Sequence, residues 1–254
     1  MIVRHAGDVV RAREGFATRR GANLRYVLRK RISWMQRYLT SDTYAVEVGC
    51  GAGFTGMFLK AGRLELTDTQ ARPWVDRVVD ALAMPYADGS LDVLIANNVV
   101  HHLAYPDTFF REAARVLRPG GHLLLQECDA SLTTRLALRV TGHEAYDLSA
   151  DPFDTSRPCN DPADPWSANC AIPNLLFDDL DRFRGRYTAF EVLEMKRSEF
   201  FIHFNCGGIT SSGPYLPLPE VALRVLDAID GVLVAVAPDI FASQRRIVLR
   251  RAIE

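Results

Sequence analysis

The sequence predicts an α/β fold in which seven strands form a doubly wound, mainly parallel sheet. Short apolar segments of strand length alternate with segments whose apolar residues recur at helical spacing. Such alternation is typical of a parallel sheet covered by helices on both faces. The first strand also runs directly into a turn with three alternating glycines, Gly49, Gly51 and Gly53. At 254 residues the chain is long enough to bury a substantial core.

The N-terminal half contains most of the predicted regular structure. Residues 1–22 lack periodicity and are interpreted as a loose arm, and a helix follows over Asn23–Leu39. A second helix is predicted over Phe54–Ala61, and a third begins at Pro106 and is stopped by Pro119-Gly120-Gly121. The five strands predicted here are Tyr44–Val48, Arg63–Thr67, Arg77–Val79, Leu91–Ala96 and His122–Glu127.

Beyond Glu127 the regular alternation lapses. Helices are predicted over Ser131–Val140 and Pro219–Val236, and strands over Phe190–Ser198 and Ser243–Ala252. Residues 147–173 contain five prolines and five aspartates. This stretch is too long and too rich in proline for an ordinary connection, so it is predicted to be a lid or a binding loop.

Composition places the chain among soluble globular proteins, since 48% of residues are hydrophobic and 24% are charged. No apolar run approaches the length of a membrane span, and no signal peptide is recognisable. The five cysteines are an odd number without CxxC spacing, which indicates a reduced, cytoplasmic protein.

The charges are unevenly distributed along the chain. Residues 1–39 hold ten Lys/Arg against two acids, Asp8 and Glu14. Such a stretch could contact an anionic membrane, a nucleic acid or a phosphorylated substrate. Because few aromatic residues interleave the basic ones, the favoured interpretation is a helix face that packs onto the acidic remainder of the protein.

The glycine turn suggests a nucleotide-like cofactor, because glycine lets a ligand approach the main chain. The helix predicted to follow would direct its free N–H groups at the same crevice. Gly51 to Gly56 satisfies the dinucleotide pattern G-x-G-x-x-G, and Asp68 ends the next strand. Glu47, however, would repel a pyrophosphate and would suit the cationic amino acid of S-adenosylmethionine. The residues therefore favour S-adenosylmethionine over NAD and leave an NAD-linked oxidoreductase or epimerase as the alternative.

Four further segments follow the turn in a recognisable order. They are Leu66-Thr67-Asp68, the stretch from Val79 to Asp92, Ala96 to Leu103, and Arg115 to Gly121. Together with the turn they resemble the class I S-adenosylmethionine-dependent methyltransferases over residues 44–127. The resemblance implies a Rossmann-like fold with an antiparallel last strand. It also implies one domain over 1–254, divided into an arm and helix (1–43), a cofactor-binding core (44–127) and an irregular substrate-side elaboration (128–254).

The resemblance assigns one group of residues to the methionine end of the cofactor. Glu47 would act on the ammonium group, and Asn97 would line the methionine through its backbone carbonyl. The remaining residues of this group form the turn: Gly49, Cys50, Gly51 and Gly53.

A second group is implied on the nucleoside side. Asp68, with Thr69 beside it, would bind the ribose hydroxyls, unless it is only a helix N-cap. Asp80 would accept from the adenine amino group, and the Ala81 N–H would contact a ring nitrogen. The alternative for Asp80 is a turn residue.

Two adjacent histidines, His101 and His102, follow the fourth strand at the edge where open α/β sheets bind ligands. An imidazole with a pKa of ~6.5 suits removal of a hydroxyl proton. His102 is the first candidate for a general base and His101 the second, with packing as the alternative role. His143 and His203 are weaker candidates.

No metal site is predicted. The aspartates of 147–173 suit Mg²⁺ or Ca²⁺ chemically, but the layout of metal-dependent methyltransferases is absent from the sequence. The implied reaction is methyl transfer to an oxygen of a small molecule or a sugar or polysaccharide intermediate. A non-catalytic binding module is a further alternative. Nucleic acid is disfavoured as a substrate, because no Asn-Pro-Pro motif follows the fourth strand, and no oligomeric state is predicted.

Overall fold

The computed structural model describes residues 8–18, 21–210 and 213–253. Within them one sheet of seven strands has the order β3-β2-β1-β4-β5-β7-β6. Strands β1 to β5 pair in parallel, and β7 is antiparallel to both of its neighbours. The predicted seven-stranded sheet with an antiparallel last strand is therefore confirmed. The strands are β1 Tyr44–Val48, β2 Arg63–Asp68, β3 Arg77–Val78, β4 Leu91–Asn97, β5 Leu117–Cys128, β6 Phe190–Ser198 and β7 Gln244–Arg251.

Helices cover both faces of this sheet. On β4, Leu94 and Ala96 contribute to one apolar core, whereas Val93 and Ile95 contribute to the other. This alternation follows from the period of two in a strand. The helices are α1 Val9–Ala17, α2 Ala22–Ser33, α3 Thr55–Phe58, α4 Pro106–Val116, α5 Leu132–Thr141, α6 Ile172–Phe177, α7 Leu180–Arg186, α8 Phe201–Phe204, α9 Glu220–Val236 and α10 Pro238–Phe241.

The N-terminal segment differs from the prediction of a loose arm. Residues 9–17 form α1, and Asp8 caps it by accepting a hydrogen bond from the Arg11 N–H at 2.9 Å. Val9 and Ala12 are buried in the same core as α2. Among the residues of α1 whose burial is described, 9–16, two buried apolar residues give too weak a periodicity to predict a helix from the sequence. Residues 1–7 and 19–20 of the predicted arm lie outside the described residues.

Two boundaries near the glycine turn and β5 were also predicted wrongly. The helix predicted over Phe54–Ala61 is a single turn, α3, so it offers no extended helix terminus to a ligand. The helix expected to run to Pro119 ends at Val116, and β5 begins at Leu117. The register of β5 on β4 shifts between Leu91 and Val93, which accommodates Pro119 and its two glycines as an irregularity inside the strand.

The basic N-terminal stretch packs onto the acidic body, as the favoured interpretation states. Arg31 pairs with Glu199, and Arg37 with Glu194. Lys30 pairs with Asp227 on α9. Among the described residues, no helix is both long and apolar enough to cross a membrane.

Candidate active site

The glycine turn connects β1 to α3 and is held by neighbouring side chains. Gly49, Gly51 and Gly53 all have positive φ, at 62°, 51° and 68°. The Gly51 N–H donates to Asp68 Oδ2 at 2.9 Å, and the Gly51 carbonyl accepts from Trp74 Nε1 at 2.8 Å. Asp68 and Trp74 thus fix the turn from both sides.

Side chains cover more of the main chain of this turn than its glycines suggest. A Cβ on Gly53 would lie 2.5 Å from Trp74 Cδ1, and a Cβ on Gly49 would lie 2.7 Å from a Val99 methyl. Arg13 of α1 donates to the Ala52 carbonyl at 2.7 Å, with its guanidinium carbon 4.7 Å from the centre of the Trp74 ring. Close approach by the protein's own side chains therefore accounts for Gly49 and Gly53.

Substitution of Gly53 by alanine should lower the free energy of unfolding by about 2–4 kcal/mol, because it combines a left-handed backbone with overpacking against Trp74. The matched control is Gly231→Ala. Gly231 lies within α9, and a Cβ there would meet nothing within 4 Å. The control should gain about 0.5–1 kcal/mol in urea unfolding. Wild-type stability in Gly53→Ala would show that Trp74 does not pack tightly on the turn.

Glu47 is the most unusual group beside this turn. Its side chain is only 1% exposed, and its Oε1 accepts from Thr55 Oγ1 and from Asn97 Nδ2, both at 2.7 Å. Its Oε2 and the Asn97 Oδ1 are buried and have no hydrogen-bond partner among the residues that the structure describes. Burial raises the pKa of Glu47 to about 7. Two buried acceptor oxygens, one on β1 and one on β4, are therefore placed to accept hydrogen bonds from a ligand.

The residues assigned to the nucleoside side occupy the ends of β2 and β3. Asp68 uses Oδ1 to accept from the Gln70 N–H, and Thr69 beside it is exposed. Asp80 is exposed and accepts from the Leu82 N–H at 2.8 Å, while Ala81 is buried. Asp68 and Asp80 therefore both have turn-forming contacts, which are compatible with ligand contacts through the remaining lone pairs.

The two histidines after β4 lie on a short 3₁₀ turn and have different environments. His101 is buried, and its Nδ1 lies 2.6 Å from Glu127 Oε2. Burial works to lower the pKa of His101, yet the adjacent Cys128 and Glu127 raise it well above its ordinary value. Glu127 Oε1 also accepts from the Val99 and Val100 N–H groups. Glu127 therefore anchors the whole turn.

His102 is half-buried, and its Nδ1 lies 3.2 Å from the Ser167 carbonyl. Burial, with a contribution from His101, lowers the pKa of His102 to about 4. His102 is consequently uncharged and weakly basic at neutral pH. The sequence-based assignment of a base with an unperturbed pKa is not met in this environment.

Glu144 lies beside the two histidines, although no motif in the sequence indicates it. Its Oε2 lies 3.9 Å from His101 Nε2 and accepts from Cys170 Sγ at 2.7 Å. His143 Nε2 lies 3.9 Å from the other carboxylate oxygen. His101 and His102 hold the pKa of Glu144 down to about 2 against the effect of burial. Only the folding of the segment after α5 back onto β4 and β5 creates this cluster.

The proline-rich loop over 147–173 packs directly on the histidine turn. Asn160 Nδ2 donates to the carbonyls of His101 and Leu103, both at 2.9 Å, and the Asn169 N–H donates to the His101 carbonyl. Each of the five aspartates accepts from the backbone N–H two residues further on: Asp147, Asp151, Asp154, Asp161 and Asp164. These aspartates are turn formers.

Comparison with known proteins bears directly on this geometry. A protein family described as a methyltransferase domain matches residues 46–125. The match contains Glu47, the glycine turn and both histidines. Residues 46–125 form a methyltransferase domain, in agreement with the resemblance of residues 44–127 to the class I S-adenosylmethionine-dependent methyltransferases.

This chain is also similar to two curated proteins that are named as methyltransferases. It is 37% identical over 101 residues to a 27-O-demethylrifamycin SV methyltransferase of Amycolatopsis mediterranei, covering 32% of this chain and 36% of the relative. A malonyl-[acyl-carrier protein] O-methyltransferase of Hahella chejuensis is 33% identical over 109 residues, covering 36% and 37%. The chain thus spans little more than a third of the length of these curated relatives.

A solved structure extends the likeness beyond the methyltransferase domain. An S-adenosylmethionine-dependent methyltransferase from Archaeoglobus fulgidus superposes with a TM-score of 0.57, covering 95% of this chain and 98% of that chain. Sequence identity is 14%. The two proteins therefore share the fold, including the strands outside residues 46–125.

Proposed function

We propose that this protein transfers a methyl group from S-adenosylmethionine to an oxygen of a small molecule. The observation that carries the proposal is the pair of buried, unpartnered acceptors, Glu47 Oε2 and Asn97 Oδ1, beside the glycine turn. The amino group of the cofactor supplies N–H donors and a positive charge, which are what two such acceptors require. A dinucleotide would instead bring a pyrophosphate, which Glu47 would repel.

The chain's own residues would then act mainly by holding and orienting. Glu47 would hold the ammonium group as a carboxylate, with Oε1 kept in place by Thr55 and Asn97. Asp68 would bind the ribose hydroxyls while fixing Gly51, and Asp80 and Ala81 would contact the adenine. When bound, S-adenosylmethionine supplies a methyl group already activated on a sulfonium sulfur. The remaining task of the protein is alignment of the acceptor oxygen.

The acceptor oxygen is assigned to the region of His101, His102 and Glu144. The two histidines follow the carboxyl end of β4, and Glu144 follows α5; all three contact or adjoin the loop over 147–173. The names of the two relatives specify methyl transfer to oxygen for those proteins, which supports the same acceptor atom here. Sugar intermediates belong to the same proposed class of hydroxylated acceptors.

The five free cysteines support a cytoplasmic location.

Titration calorimetry with S-adenosylhomocysteine and with NAD tests the cofactor assignment. We expect S-adenosylhomocysteine to bind at one equivalent and NAD not to bind. Binding of NAD alone would overturn the proposal and restore the oxidoreductase alternative. Incubation of the protein and cofactor with panels of hydroxylated metabolites and sugar nucleotides, followed by mass detection of a methyl gain, then identifies the acceptor.

A further inference from the structure

Beyond methyl transfer, we propose that His101, His102 and Glu144 form a binding site for one divalent transition-metal ion, with Zn²⁺ the best chemical match. One potential ligand atom from each residue lies within 4.8 Å of the other two. Two imidazole nitrogens and one carboxylate oxygen are the donor set of many catalytic zinc sites, in which a further position stays open. The same donors also suit Fe²⁺.

Both histidines are oriented as metal ligands are. His101 has its Nδ1 at 2.6 Å from Glu127 Oε2, and His102 has its Nδ1 at 3.2 Å from the Ser167 carbonyl. In each ring an acceptor faces Nδ1, so a proton held on Nδ1 leaves Nε2 as the ligating nitrogen, and metal binding at His101 displaces the proton from Nε2. Metal-ligating histidines characteristically donate the other ring N–H to a carboxylate or a backbone carbonyl. This arrangement fixes both the tautomer and the ring orientation.

The distance between His101 and Glu144 is close to that of two ligands on one ion. His101 Nε2 and Glu144 Oε2 are 3.9 Å apart, and the centres of the two imidazole rings are 4.3 Å apart. Two ligands at about 2.0–2.2 Å from a tetrahedral zinc ion are separated by roughly 3.4 Å. A shift of about half an ångström in the Glu144 carboxylate would therefore bring this pair to the separation of two zinc ligands, and the ligand atom of His102 lies within 4.8 Å of both. Cys170 Sγ donates to the same oxygen, Oε2, and so helps to position the carboxylate.

A second grouping, His101 with Glu127 and Cys128, is also within ligating distance but is a poorer site. Both Glu127 oxygens are occupied, since Oε1 accepts from two backbone N–H groups and Oε2 contacts His101. Release of Glu127 to a metal would leave the Val99 and Val100 N–H groups buried and unpaired. Glu127 is therefore a support for His101 rather than a ligand.

This site differs from the sequence-based expectation of no metal, which considered only the aspartates of the loop over 147–173. An ion held by two neutral imidazoles and one carboxylate would take an oxygen donor at its open position. It would lower the pKa of a coordinated hydroxyl group. This consequence for the acceptor rests on the proposed function, whereas metal binding itself does not.

Metal titration of the full chain tests the proposal. After treatment with a chelator and its removal, Zn²⁺ is titrated in competition with a chromophoric indicator. We expect one equivalent to bind with a micromolar or lower dissociation constant. His102→Ala and Glu144→Gln should each weaken binding about 100-fold or more. His122→Ala removes an equally half-buried imidazole from β5 and should leave affinity unchanged.

Substitution of Co²⁺ identifies the ligands without any activity measurement. A visible d–d spectrum without a sulfur-to-cobalt charge-transfer band would support nitrogen and oxygen ligands. Sub-stoichiometric binding to wild type, a thiolate band, or equal affinity in His102→Ala and His122→Ala would each overturn the site. The wild-type titration decides the matter even where a variant fails to fold. Binding of S-adenosylhomocysteine without stoichiometric Zn²⁺ would leave the proposed function standing and remove only the metal site.

Discussion

Replacement of Glu47 by glutamine should weaken binding of S-adenosylhomocysteine by about 100-fold or more while making the protein more stable above pH 7. The amide keeps an oxygen for Thr55 Oγ1 and Asn97 Nδ2. It places an N–H donor where the buried acceptor Oε2 stands, and it removes the negative charge. Loss of one partner from a buried, hydrogen-bonded charge pair typically costs 2–5 kcal/mol in binding.

The opposite effect on stability follows from the raised pKa of Glu47, about 7 in the folded protein against an ordinary value of 4.5. A carboxyl group whose folded pKa is raised stabilises the fold fully only below its unfolded pKa, and this contribution is lost as the pH rises through about 7. Above pH 7 the buried charge costs up to about 3 kcal/mol. Glu47→Gln removes that cost, so urea unfolding at pH 8 should show a gain.

Glu65→Gln is the matched control. Glu65 is a buried acid on the neighbouring strand β2, but it accepts from Tyr44 and Tyr86 and pairs with Arg63. These contacts hold the pKa of Glu65 below its ordinary value against the effect of burial. The control should therefore lose stability at pH 8 and keep its affinity for S-adenosylhomocysteine. Unchanged affinity in Glu47→Gln would remove Glu47 from the cofactor site.

The second large effect concerns Arg31, whose replacement by methionine should lower the free energy of unfolding by about 3–5 kcal/mol. Arg31 is 3% exposed and donates to both oxygens of Glu199, at 2.7 Å in the shortest contact, and lies 2.7 Å from His203 Nδ1. Methionine fills similar space but leaves the buried Glu199 carboxylate without its partner. Glu199 also has a backbone φ of 64°, which costs free energy that this pair offsets.

Lys30→Met provides an adjacent control for Arg31→Met. Lys30 pairs with Asp227, and both side chains are partly exposed. Solvent screening limits such a pair to about 0–1 kcal/mol. Urea unfolding of the two variants should differ by several kcal/mol although the substitutions are neighbours on one helix. Equal losses of stability in the two variants would mean that the buried Arg31 pair contributes no more than the solvent-screened Lys30 pair.

Local patterns predicted most of the sheet and little of its surroundings. Strands β1, β2, β4, β6 and β7 match their predicted segments to within two residues. Their runs of apolar residues carry the signal locally. Helix α1 was missed because the part of it whose burial is described, residues 9–16, buries only two apolar residues. Helix α3 was predicted too long because the chain becomes extended at Leu59 after a single turn.

The candidate site divides in the same way. Glu47, Asp68 and the histidine pair were recognised because they lie within short motifs at strand ends. Glu144 and Trp74 were not, because each reaches the site through contacts with residues more than 20 positions away. The loop over 147–173 was recognised as unusual, but the turn-forming role of its aspartates depends on backbone conformation that composition does not encode.

The place of β7 in the sheet has a consequence for the biosynthesis of the protein. This strand lies between β5 and β6, yet it is the last of the seven along the chain. Until Arg251 has left the ribosome, β5 has an open edge, with Leu123 and Leu125 among its apolar residues. Open, apolar strand edges attract other chains. The nascent protein therefore passes through a stage in which protection by chaperones matters more than it does for the finished fold.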